Sequence, residues 1–144
     1  MWGVTVSWYV KVLKQYVDFS GRARRREYWM FVLINVVIVI VLSLVDTLLG
    51  TGGFRATSGG GSFYAANSLG LLSGLYTLAV LLPSIAVTVR RLHDTDRTGW
   101  WILLGFIPII GGIILLVFYV LEGTRGPNRF GPDPKATAAE APAY

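Results

Sequence analysis

Three apolar stretches organise the chain: Tyr28–Leu49, Leu69–Val89 and Trp100–Leu121, of 22, 21 and 22 residues. A helix needs about 20 mainly apolar residues to cross a hydrocarbon core of about 30 Å. The pattern therefore predicts an all-α integral membrane protein with three hydrophobic helical segments. Fifteen Val, Ile, Leu or Phe residues in the first stretch each favour insertion by roughly 0.3–0.6 kcal/mol. Asn35 and Asp46 oppose it by at most a few kcal/mol, so insertion wins. The stretch is longer than the 7–15 residues of a signal-peptide core, and the expectation is a retained first span.

The third stretch admits two arrangements. As one helix of 22 residues it rises about 33 Å and crosses once, leaving the tail outside. Pro108, Gly111 and Gly112 interrupt its middle, and a re-entrant hairpin turning there would return the tail to the inner side. Irregular backbone at that depth must be covered by protein, which two other helices supply poorly. A single kinked span is the expectation on that ground.

Outside the apolar stretches, Trp8, Val12, Tyr16 and Phe19 share one helical face, away from Lys11, Lys14 and Asp18. This predicts an amphipathic interfacial helix over 8–19. The Gly/Ser-rich loop 50–68 is expected to be flexible. Residues 123–134 are dense in turn formers, and the Ala-rich tail 135–144 is expected to be disordered. These elements make one membrane domain over 1–134. No internal repeat points to an inverted-repeat transporter.

Charge sets the orientation. Lys11, Lys14, Arg22, Arg24, Arg25 and Arg26 precede the first stretch, and Arg90, Arg91 and Arg97 lie in the link 90–99, whereas loop 50–68 holds only Arg55. Basic residues beside spans mark the cytoplasmic side, which places the amino terminus and the link inside. Tyr28-Trp29 and Trp100-Trp101 fit the same interface as aromatic anchors. The net charge of +5 is distributed beside the spans rather than as a base-reading face, so nucleic-acid binding is not expected. The chain has no cysteine, which excludes disulfides and thiolate sites.

Few residues offer chemistry. The cluster Gly21-Arg22-Ala23-Arg24-Arg25-Arg26-Glu27 reads first as a topology anchor, and also as a site for anionic lipid headgroups at about 1 kcal/mol per basic residue. The link Arg90-Arg91-Leu92-His93-Asp94-Thr95-Asp96-Arg97 contains the only histidine. One imidazole and two adjacent carboxylates seldom hold an ion unaided, and no metal or cofactor is expected. His93 as a general base lacks a nucleophile placed beside it. The simpler reading is an ion-paired turn, with Asp94 and Asp96 pairing to arginines of the link or of residues 22–26. Asn35 should face another helix and form a hydrogen bond. Asp46 should pair with Arg55 or reach interfacial water, Gly70 and Gly74 offer a close-packing face, and Pro83 should kink the second span.

Three segments together, KVLKQYVDFSGRARRREYWMFVLIN (11–35), RRLHDTDRTGWW (90–101) and GTRGPNRFGPDP (123–134), resemble the YhaH-like family of small bacterial inner-membrane proteins, a domain of unknown function numbered 805. The resemblance covers about residues 8–134. It implies a location in the bacterial plasma membrane and no activity, cofactor or catalytic residue. The candidate binding residues for lipid or partner are Arg22, Arg24, Arg25, Arg26, Arg90, Arg91, His93, Asp94 and Arg129. If the three motifs form one site, the tail must be cytoplasmic, against the single-span expectation. The functional expectation is a non-enzymatic membrane protein whose basic and aromatic cytoplasmic face binds anionic lipid headgroups or a membrane partner. Its rivals are an accessory subunit of a transport or envelope complex, alone or as a homo-oligomer, and a membrane-surface enzyme using His93 and Asp94.

Overall fold

The computed structural model describes residues 2–59 and 62–136, with the side chains of 2–5, 57–65 and 67 outside that description. In order, the elements are α1 (Trp2–Lys14), α2 (Arg25–Leu49), β1 (Gly53–Gly59), β2 (Ser62–Ser68), α3 (Leu71–Asp94), a 3-10 helix (Gly99–Phe106) and α4 (Ile110–Val120). Helices α2 and α3 are long and apolar enough to cross a bilayer, while α4 is a shorter apolar helix. Only 11% and 33% of their most apolar windows are buried within the chain, so their apolar surface faces outward.

The chain divides into two compact units, one of residues 1–31 and 83–144, the other of residues 32–82. In the first, α1 begins earlier than expected and ends at Lys14 rather than at 19. Gln15 N–H bonds back to Lys11 and Val12 carbonyls, and a turn follows in which the Asp18 carboxylate accepts from Ser20 N–H and its hydroxyl. A carboxylate bonding to nearby backbone competes with helix and ends the element. Val12 is fully buried.

Trp100–Leu121 is not one kinked span, and this corrects the expectation. The 3-10 helix Gly99–Phe106 leads down, α4 returns, and the two pack against each other. Three residues make the reversal. Pro108 has no N–H to continue a helix. Ile109 adopts φ +67°, a left-handed conformation costly for a β-branched residue. Gly111 passes so close to the Leu104 carbonyl that a Cβ would overlap it. The arms rise about 16 Å each, roughly half of a hydrocarbon core. The carbonyls at the end of α4 then meet Arg91, so the tail returns to the 90–99 link.

In the second unit the loop 50–68 is not irregular. β1 and β2 form an antiparallel hairpin in register from Gly53↔Ser68 to Gly59↔Ser62, so the fold is mostly rather than wholly helical. Its base is fixed by Thr47, whose hydroxyl accepts from Phe54 N–H at 2.9 Å. Asp46 neither pairs with Arg55 nor reaches water: it is fully buried and caps α3. Its carboxylate accepts from Leu72 N–H, Ser73 N–H, the Ser73 hydroxyl and the Thr51 hydroxyl at 2.7–3.0 Å. Those are orphan donors of a helix start, where a negative charge is also favoured by the dipole. Asn35 meets the neighbouring helix as expected, accepting from the Tyr76 hydroxyl at 2.7 Å. Helix α3 is continuous through Pro83. Of the tail expected to be disordered, Lys135 is placed by an ion pair to Glu122 at 2.6 Å, and residues 137–144 lie outside the described residues.

Candidate functional site

Residues 11–31 of the first motif and all of the other two lie in the first unit, and its centre is the Asp94 carboxylate at the end of α3. One oxygen accepts from Arg22 at 3.1 Å and the other from the Arg91 guanidinium. The three side chains are 1%, 0% and 5% exposed for Arg22, Arg91 and Asp94. Two arginines thus share one buried carboxylate, and backbone carbonyls take up the remaining donors.

Arg91 donates to the Tyr119 and Leu121 carbonyls and to the Ala23 carbonyl. The Trp29 indole N–H also reaches Tyr119, and Arg25 reaches the Val120 carbonyl, each at 3.3 Å. The last turn of a helix leaves carbonyls without intrahelical partners and carries partial negative charge. Two guanidiniums and an indole therefore cap α4. Arg22 does the same for the tail, donating to the Thr124 and Gly126 carbonyls. Gly123 fits under Asp94 because it has no side chain: a Cβ there would overlap the carboxylate.

His93 faces the Gly21 carbonyl through Nδ1 at 3.2 Å, and a carbonyl can only accept, so Nδ1 carries the hydrogen. Its ring stacks on Phe130, centroids 3.9 Å apart and nearly parallel. Asn128 donates to the His93 carbonyl at 2.9 Å, and Arg129 binds Asp96 through its carboxylate and carbonyl at 3.2 and 2.8 Å. Gly21 holds φ +77°, the conformation that lets the chain turn ahead of Arg22. The Asp133 carboxyl is held below its ordinary value by the N–H groups of Lys135 and Gly126, and the Lys135 ammonium lowers that of Glu122.

Arg90 belongs to a separate cluster. It is paired with Glu27 at 3.6 Å and donates to Gln15, and Glu27 also meets Lys11 at 3.2 Å. Arg24 donates to the Pro134 carbonyl and lies over the Trp8 ring, and Arg26 is exposed. The geometry thus joins Arg22, Arg91, His93, Asp94 and Arg129 with the tail, ties Arg24 to the tail at Pro134, sets Arg25 at the end of α4, and leaves Arg90 and Arg26 apart. Glu27, Gln15, Trp29, Gly123 and Asn128 complete the arrangement; all five lie in the motif segments but are not among the candidate binding residues. Glu27 carried one usable signal, as the lone carboxylate in the first turn of α2. Among the described residues no group of three His, Cys, Asp or Glu side chains could hold a metal. Both Asp94 oxygens being engaged by arginine, the arrangement is chemically a clamp: it fixes segments by charge-assisted bonds.

No solved structure matches the chain. Inner membrane protein YhaH of Escherichia coli strain K12 is 51% identical over 130 residues, covering 90% of this chain and 98% of that protein. Inner membrane protein YhaI of the same strain is 49% identical, covering 90% and 97%. Uncharacterized protein YiiR is 27% identical over 142 residues, covering 81% and 85%. The family model described as protein of unknown function, DUF805, matches residues 16–132 and so includes every residue of the clamp. With that match over most of its length, this membrane protein belongs to the DUF805 family.

Proposed function

We propose that this protein is a non-enzymatic component of the bacterial plasma membrane whose first unit binds anionic lipid headgroups at the cytoplasmic face. The observation behind this reading is where the charge is left over. The first unit carries twelve of the 13 Lys and Arg and seven of the eight Asp and Glu, so the whole surplus of five lies there. Arg22, Arg90 and Arg91 are buried against Asp94 and Glu27. Lys14 and Arg26 are exposed and have no side-chain partner among the described residues. Exposed cations beside interfacial aromatics such as Trp29 suit phosphate diesters of lipid headgroups.

Lipid titration of the purified protein, read by native mass spectrometry, tests it. Phosphatidylglycerol should bind more tightly than phosphatidylcholine. Lys14→Gln with Arg26→Gln should weaken that binding about thirtyfold, from about 1 kcal/mol per basic residue. A wild-type protein without headgroup preference, or a double variant that keeps it, sinks the proposal. The double variant must still insert, which a protease-protection assay checks.

A second reading, an accessory subunit of a membrane complex, is favoured by the tip of the re-entrant hairpin. Phe106 and Ile109 are 84% and 80% exposed beside irregular backbone. Irregular backbone within the hydrocarbon core is tolerated only under protein cover. The chain lacks cysteine, so Ile109→Cys supplies a single crosslinking handle. Crosslinking in native membranes should capture a partner there and not at Leu48→Cys. Equal behaviour of the two sites removes this reading.

A further inference from the structure

The second unit contains a groove of about 340 Å³ that the reading above does not use. Val36, Val39 and Ile40 of α2 and Val80 of α3 form its walls, and Phe54 of β1 lines it as well. Its size lies within the roughly 300–1,000 Å³ typical of small-molecule sites. A helix about 10 Å across does not fit into it.

Two polar groups of its wall are engaged within the chain. The Tyr76 hydroxyl donates to Asn35 Oδ1, and the Thr77 hydroxyl donates to the Ser73 carbonyl, each at 2.7 Å. The groove thus offers an occupant hydrocarbon. It is continuous with the outward face of α2, since Val36 and Ile40 are 49% and 45% exposed. From Asn35 to Ser43 the wall runs about 12 Å along a helix long and apolar enough to cross a bilayer. Phe54 is held in place from two sides. Its N–H is bonded to the Thr47 hydroxyl, and the preceding Gly53, at φ +90°, packs so tightly on the Ser43 carbonyl that a Cβ would overlap it.

We infer that this groove seats one acyl chain of a membrane phospholipid, which ends against Phe54. Dispersion contacts with the valine and isoleucine walls hold the chain, and each is individually small. No basic residue lines the groove, so the site selects for the chain and not for the headgroup. It stands or falls separately from the anionic-lipid reading.

The full chain, reconstituted in phosphatidylcholine vesicles containing a phospholipid with a photoreactive diazirine on one acyl chain, gives the test. After irradiation and digestion, labelling at Val36, Val39, Ile40, Ser43, Thr77 and Val80 should exceed severalfold that at Val37, Val41 and Leu44. Those three are each 52% exposed on the same helix, and so control for simple contact with lipid. Val39→Trp fills the groove and should abolish the excess. Phe54→Ala, at a position 43% exposed, removes the stop and should lower it without touching the helices. Carrying the diazirine chain on phosphatidylglycerol instead should change nothing at the groove. Equal labelling of both faces overturns the inference, as does an excess that survives in either variant.

Discussion

Asp94 has two carboxylate oxygens, and an arginine takes each. Burial of ions is costly, and breaking such a set by removing one partner leaves uncompensated charge, typically at 3–5 kcal/mol. Asp94→Ala should therefore destabilise the first unit by about 3–5 kcal/mol. Thermal unfolding in detergent would show this, with faster proteolysis of residues 122–136; an unchanged melting temperature would remove Asp94 from its central role. The RRLHD motif shows that an acid lies beside arginines and predicts that Asp94 pairs with arginines of the link or of residues 22–26, and Arg91 and Arg22 are those partners. Which arginine of 22–26 it would be was not legible. Residues 22, 24, 25 and 26 look equivalent in sequence, and the left-handed turn at Gly21 aims Arg22 at Asp94 while Arg25 faces the end of α4.

At the level of elements, the start of α3 depends on Asp46 from the end of α2. Gly70 and Gly74 look alike in sequence as a small-residue pair, but their surroundings differ. A Cβ on Gly70 would overlap the Asp46 carboxylate, whereas one on Gly74 would meet only Leu69 side-chain carbons at 3.3 Å. Gly70→Ala should cost a few kcal/mol, the scale of a displaced cap together with a buried carboxylate left without partners. Gly74→Ala should stay within about 1 kcal/mol, because Ala is the better helix former and a flexible side chain can give way. Comparing the two melting temperatures checks the pair, and equal losses would contradict the cap. The hairpin in 50–68 was hidden for a related reason. Gly-rich composition signals freedom, but pairing of seven residues against seven and the Thr47 anchor order the strands.

Across the whole molecule, the fate of Trp100–Leu121 decides which side the tail occupies. Its return to the 90–99 link predicts that a reporter fused after Tyr144 is on the same side as one fused at the amino terminus. Basic residues beside the apolar stretches predict a cytoplasmic amino terminus, so a cytoplasm-active reporter should work and a periplasm-active one should be silent. The opposite pattern would mean a full crossing and a clamp that does not form. Residue order alone establishes a membrane protein of the DUF805 family, because length and apolarity of a segment are local properties and the family match is a property of that order. It also marked which residues lie beside the apolar stretches. The tertiary structure alone decided that the third stretch turns back. A chain with Pro108, Gly111 and Gly112 can bend or reverse, and the choice rests on contacts with residues far away in sequence, namely Arg91, Arg25 and Trp29 at the end of α4. Such partners are fixed by distance in space, which composition and spacing do not encode.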